Sequence, residues 1–183
     1  MHNKIPKKYI FLDKYSPKFF EHNNTNLGVI YRNYKNVNKL ENLYKISKAC
    51  KRKKYKLFIS NDIKLALKVK AFGIYIPSFI KNKMDYINLN IKNILVIGSA
   101  HSEKEINEKI KQRCKAIFLS PIFKNKNNKR LDITRFNLLT LNKNIKFYAL
   151  GGINKFNIKK LKILNIKGFG AIKFFKQDKK KPA

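Results

Sequence analysis

The sequence predicts a compact (β/α)8 TIM barrel, and three observations carry that expectation. Eight short apolar, β-branched runs are spread evenly over 183 residues. Helical patterns separate most of them, the rhythm of a parallel sheet covered by helices. Even spacing over a chain of single-domain length suits a closed barrel better than an open doubly wound sheet.

The expected strands are 9–13, 28–32, 56–59, 73–76, 94–98, 116–120, 146–150 and 170–174. Helical patterns fall at 39–53, 62–70, 103–113, 133–141 and 155–164. In the last, Phe156, Ile158, Leu161 and Leu164 recur at helical spacing, with lysines on the other face. Ser102 followed by Glu105 reads as a capping box, which puts Ser99, Ala100 and His101 in the turn after strand five. Barrels build their active sites on that face. The stretch 79–92 lacks helical periodicity and reads as irregular, while the Lys-rich tail 176–183 reads as frayed. No linker or insert interrupts the rhythm, so residues 1–183 are expected to form one domain.

Apolar residues make up 44% of the chain, enough for a sizeable core. No apolar run reaches the ~18 residues of a membrane span, and the start has no secretory h-region, so a cytoplasmic location is expected. Cys50 and Cys114 fall in helical segments at no motif spacing and read as buried thiols rather than zinc ligands. The net charge of +33 raises the question of nucleic acid. Only five residues are arginines, however, whereas base and phosphate recognition favours Arg. The excess is Lys, accompanied by Asn and Ile, the residues that AT-rich codons encode. No specific nucleic-acid partner is expected, and non-specific binding at low salt is. The sequence leaves the oligomeric state open.

Four segments carry candidate chemistry. Gly151 and Gly152 end strand seven, where paired glycines let an anion approach backbone N–H groups; the bland alternative is two turn glycines. Gly168-Phe169-Gly170 adds a second small-residue segment beside it. Ser99 and His101 follow strand five, a hydroxyl donor and a group that moves protons near neutrality, unless the histidine merely caps a helix. Ser120-Pro121-Ile122-Phe123 leads into a basic, amide-rich loop with Lys124, Lys126 and Lys129, either a diphosphate clamp or a solvated charged loop. Arg32 ends strand two, where it orients an anion in the mouth or is simply an exposed arginine.

Ser99-Ala100-His101-Ser102-Glu103, Ser120-Pro121-Ile122-Phe123 and Tyr148-Ala149-Leu150-Gly151-Gly152-Ile153 come in the order found in the thiamine phosphate synthase family. The chain resembles that family, which includes TenI-like thiazole tautomerases, over residues 9–174. The resemblance implies joining of a hydroxymethylpyrimidine diphosphate to a thiazole phosphate, with Mg²⁺ assistance and release of pyrophosphate. It also implies that Arg32 and the lysine loop hold the diphosphate, with Ser99 nearby. Gly151, Gly152 and the backbone around Ile172 and Lys173 would hold the thiazole phosphate. Phosphorylated thiamine precursors are then the expected partners.

The departures are specific. Family synthases carry an Asn-Asp pair after strand three; here Ser60-Asn61-Asp62 aligns the motif aspartate with Asn61, leaving Asp62 one place on. Pro77-Ser78-Phe79-Ile80 after strand four has no carboxylate, so Mg²⁺, which favours hard oxygen ligands, is expected to be poorly held. This pattern resembles the TenI-like side of the family, where His101 takes the place of an acid/base histidine. A tautomerase, or a non-catalytic barrel binding a thiamine-related phosphate, are the alternatives.

Overall fold

A computed structural model describes residues 5–21, 26–34, 38–81, 94–124 and 130–175. Eight parallel strands close on themselves in chain order: β1 (Lys8–Leu12), β2 (Leu27–Tyr31), β3 (Lys56–Ser60), β4 (Gly73–Ile76), β5 (Leu95–Ala100), β6 (Ala116–Leu119), β7 (Lys146–Leu150) and β8 (Gly168–Ala171). Among the described residues five α-helices lie between them: α1 (Pro17–Glu21), α2 (Lys39–Lys53), α3 (Ile63–Lys68), α4 (Glu103–Lys111) and α5 (Ile133–Thr140). The barrel closes where Lys8 pairs with Phe169 and Ile10 with Ala171.

Period-two alternation sorts the strand residues into two cores. Val29, Tyr31, Leu57, Ile59, Ile74, Ile76, Ile117 and Leu119 face the helices, where they meet Leu43, Ile46, Ala66, Ile106 and Phe136. Their alternates Tyr9, Phe11, Ile30, Phe58, Tyr75, Ile97, Phe118 and Tyr148 form a separate cluster. Tyr9 on β1 lies 5.6 Å from the Phe58 ring on β3 and 5.0 Å from Phe118 on β6, neither strand being its neighbour. Only the barrel interior brings such strands together, so this aromatic cluster is the filled lumen.

Local chemistry sets the helix starts. Asp62 caps α3 by accepting from Leu65 N at 3.0 Å, and Asp132 caps α5 through Arg135 N at 3.0 Å. The expected capping box on α4 forms with a shift of one residue. Ser102 Oγ accepts from Glu105 N at 3.3 Å, but the Glu105 carboxylate accepts from His101 N at 2.6 Å instead of from Ser102 N.

Three expectations need correction. The eighth strand runs over Gly168–Ala171, two residues earlier than its apolar run suggests, and Lys173–Phe175 is a 3-10 turn. The last helical pattern is a 3-10 helix over Ile158–Ile163; Leu161 and Leu164 are buried as expected, but Phe156 is 95% exposed. Asn154 and Asn157 account for this, because Asn154 Oδ1 accepts from Phe156 N and Asn157 N while Asn157 Oδ1 accepts from Asn154 N. These side chains spend the first turn on an Asx turn in place of an α start. Cys114 lies beyond α4, and both thiols are buried, which pushes each pKa up to about 12. The helix α1, which carries buried Phe19 and Phe20, has no counterpart in the sequence reading. Residues 82–92 of the irregular stretch and the 176–183 tail lie outside the described residues. Among the described residues, no helix is long and apolar enough to cross a membrane.

Candidate functional site

Continuing the inward alternation past the lumen aromatics leads to polar residues at the carboxyl ends of the strands. Ile30 is followed two residues on by Arg32, Phe58 by Ser60, Ile97 by Ser99 and Phe118 by Ser120. One apolar layer thus gives way to a polar one at the mouth, the face on which such barrels carry their chemistry.

Arg32 is anchored by its backbone, whose N–H donates to Leu12 O at 2.8 Å, and its guanidinium lies 4.8 Å above the Phe11 ring. No carboxylate pairs with it among the described residues, so its charge is open to an incoming anion. Ser99 is 4% exposed and accepts a 2.8 Å hydrogen bond from the Tyr75 hydroxyl. Burial pushes the Tyr75 pKa up to about 12, while the Arg32 charge and the Ser99 bond act against the shift. The neutral phenol therefore donates, which leaves the Ser99 proton available to another acceptor. The Tyr75 ring packs at 5.4 Å against Phe11, the ring that Arg32 covers, while its hydroxyl reaches Ser99 on β5.

His101 stands exposed one inward position beyond Ser99. Its Nδ1 lies 2.8 Å from the Ser120 carbonyl oxygen and 3.1 Å from Ser120 Oγ. A carbonyl only accepts, so Nδ1 carries a proton, and in the neutral tautomer this selects it is Nε2 that accepts.

Gly151 and Gly152 adopt φ of 94° and 70°, where side chains are strained. They also lie under the segment after β6. A Cβ on Gly151 would come within 2.8 Å of Pro121, and one on Gly152 within 2.9 Å of the Lys124 carbonyl oxygen. The carbonyls of Leu150, Gly151 and Gly152 accept from Ile122 N, Phe123 N and Asn157 Nδ2. Among the described residues, the N–H groups of the two glycines have no protein acceptor. The register Leu150–Gly170 sets this turn beside the end of β8, where Ile172 is 38% exposed and Lys173 opens the final 3-10 turn. The exposed Lys124 sits over Gly152. Lys126 and Lys129 lie outside the described residues.

A cavity of about 200 Å³ opens between the ends of β2 and β3, lined by Tyr31, Asn33, Tyr34, Lys39, Ser60 and Asn61 among others. Tyr34 packs against Phe79 at 5.9 Å, and its hydroxyl lies 3.3 Å from Ser60 Oγ. The Ile80 carbonyl accepts from the buried Lys109 ammonium at 2.6 Å and from Gln112 Nε2 at 3.1 Å, which holds the segment carrying Phe79. The sequence reading picked out neither Tyr34, Lys39 nor Tyr75. The signal for Ser60 was present in the alternation, two places after Phe58.

A magnesium ion does not fit the donors at this end of β3. Asp62 accepts from Leu65 N through Oδ1 and from Lys39 Nζ through Oδ2 at 3.1 Å, so its charge already serves the α3 cap and an ammonium. Asn61 offers a neutral amide, and no group of three His, Cys, Asp or Glu is arranged to hold a metal among the described residues.

These features define a (β/α)8 barrel whose polar and basic side chains gather at the carboxyl ends of its strands. The chain belongs to the thiamine monophosphate synthase family, whose family model matches residues 28–174. Two thiamine-phosphate synthases of Prochlorococcus marinus are similar in sequence. One, from strain SARG, is 36% identical over 63% of this chain and 35% of its own length. The other, from subspecies pastoris, is 31% identical over 67% of this chain and 36% of its own. The chain thus spans about a third of the curated relatives it matches. In fold it is similar to a thiamine phosphate pyrophosphorylase from Pyrococcus furiosus, with TM-score 0.76, 18% identity and coverage of 93% of this chain and 86% of that one.

Proposed function

We propose that this barrel joins a hydroxymethylpyrimidine diphosphate to a thiazole phosphate and releases pyrophosphate. The observation that carries the reading is the Arg32 guanidinium at the mouth, with no carboxylate partner among the described residues, in a chain of this family. The methylene C–O bond breaks and its electron pair leaves with the diphosphate; the thiazole nitrogen then gives its lone pair to that methylene carbon. Such a step needs charge stabilisation on the leaving group more than a strong base. Arg32, with Lys124, Lys126 and Lys129, holds the leaving diphosphate, and Ser99 donates to it. Gly151, Gly152 and the backbone at Ile172 and Lys173 hold the thiazole phosphate. The protein acts in the cytoplasm as a transferase of thiamine biosynthesis.

A thiochrome fluorescence assay on purified protein with both precursors tests this. Product above the uncatalysed background is expected, and its absence from folded protein rejects the reaction.

His101 Nε2, which has no partner among the described residues, favours a second reading, a TenI-like tautomerase that moves a proton on a thiazole carboxylate phosphate. Isomerisation of that substrate followed by NMR, with no thiochrome product, selects it.

A further inference from the structure

The cavity between β2 and β3 stands where the metal-binding carboxylate of a synthase is expected, yet its donors do not suit a metal. What it offers is an ammonium group. Lys39, the first residue of α2, lines the cavity, while Asp62, behind it, does not. Asp62 takes one N–H of Lys39 at 3.1 Å and is itself fixed by the cap on α3. An ammonium has three donors, so two remain for a ligand. Tyr34 and Ser60 add hydroxyls, and the buried side-chain oxygen of Asn61 finds no partner among the described residues. Amide orientation is interchangeable, so the same position can present Nδ2 as a donor to an anion.

We propose that this cavity is a metal-independent diphosphate site in which Lys39, held by Asp62, supplies the counter-charge that Mg²⁺ supplies in family synthases. The anion's identity rests on the function proposed above; the site's independence of metal does not. A volume of about 200 Å³ lies below that of pockets for whole drug-sized ligands and suits a compact group. Asn61 has φ of 51°, a left-handed conformation that Asn and Asp both tolerate, so the amide is not dictated by the backbone.

The test is calorimetric titration of inorganic pyrophosphate into the full chain at about 150 mM salt, where non-specific attraction is screened. Binding is expected in EDTA, with affinity unchanged by added Mg²⁺. Lys39→Ala should weaken it roughly tenfold and Lys39→Arg should restore part of the loss. Lys146→Ala, at the opposite end of β7, should change nothing. Asn61→Asp should weaken binding in EDTA and make it Mg²⁺-dependent, and this variant decides the matter if Lys39→Ala does not fold. Binding that needs Mg²⁺ in the native protein overturns the proposal. Absence of binding, or equal losses in Lys39→Ala and Lys146→Ala, overturns it too. Thiochrome product together with Mg²⁺-requiring pyrophosphate binding rejects this inference and leaves the reaction standing. Metal-free binding without product does the reverse.

Discussion

His101 Nδ1 and the Ser120 carbonyl oxygen lie 2.8 Å apart, so the β6 end fixes the tautomer of a histidine carried on the β5 end. His101→Asn removes the free Nε2 while keeping a polar group of similar reach. If Nε2 moves a proton, turnover of a tautomerase substrate should fall roughly 10²–10⁴-fold, the usual worth of a general acid or base, with ligand affinity retained. If the reaction is the diphosphate displacement, the rate should fall far less. Steady-state kinetics and a binding isotherm on the same variant separate the two.

Arg32 touches the Phe11 ring and donates only its backbone N–H to β1, so little of the fold depends on its charge. Arg32→Ala should weaken binding of a phosphorylated ligand by about 1.5–3 kcal/mol, the worth of a charged hydrogen bond. The melting temperature should stay close to native. Arg32→Lys should recover only part, since an ammonium cannot reproduce the planar fork. A large drop in melting temperature would make Arg32 a structural residue.

Gly152 combines φ of 70° with a close neighbour in the Lys124 carbonyl. Gly152→Ala should therefore lower stability by about 1–3 kcal/mol and push the Pro121–Lys124 segment away from the β7 turn. Chemical denaturation and thiazole phosphate affinity should fall together. Unchanged stability would show that the segment yields freely.

Alkaline pH should unfold the barrel early. Burial holds the Cys50, Cys114, Tyr75 and Tyr148 pKa values at about 12, above their unfolded values of 9.0 for the thiols and 10.0 for the phenols. Above pH 9 the unfolded chain releases these protons while the native state keeps them. Their stabilising contribution is thus complete below that pH and is lost as pH rises toward 12. Lys109, whose pKa burial lowers, acts in the opposite sense below its unfolded value of 10.5. Calorimetry from pH 8 to 11 should show a falling melting temperature. A rising one would mean that the buried lysine dominates.

Most of the barrel was legible because lumen and outer positions are both apolar, so each strand stands out as a continuous run. Strand β8 was the exception. Gly168 read as part of a small-residue segment, and the bulkier Ile172 and Phe174 drew the strand downstream to 170–174. Tertiary crowding decides otherwise. A side chain at Gly168 would collide with the Lys7 carbonyl and one at Gly170 would come within 2.9 Å of Phe11, so only glycines let β8 close on β1. Candidate positions could be named from sequence where a motif lay on one strand end, as at Ser99, His101 and Gly151. Lys39 was hidden because the residue facing it, Asp62, is 23 positions away, and the alternation that marks strand ends says nothing about the first turn of α2.

The pairing of Lys8 with Phe169 has a consequence for how the molecule is made. During synthesis β1 leaves the ribosome first and β8 last. Until then one side of β1 carries unpaired peptide groups, a template for wrong partners. The closing contacts are therefore the most distant in the chain, and they come after a slow loop closure. A chain cut short before Gly168 would keep seven strands and two raw edges. Its failure would take the form of aggregation, not of a smaller folded barrel.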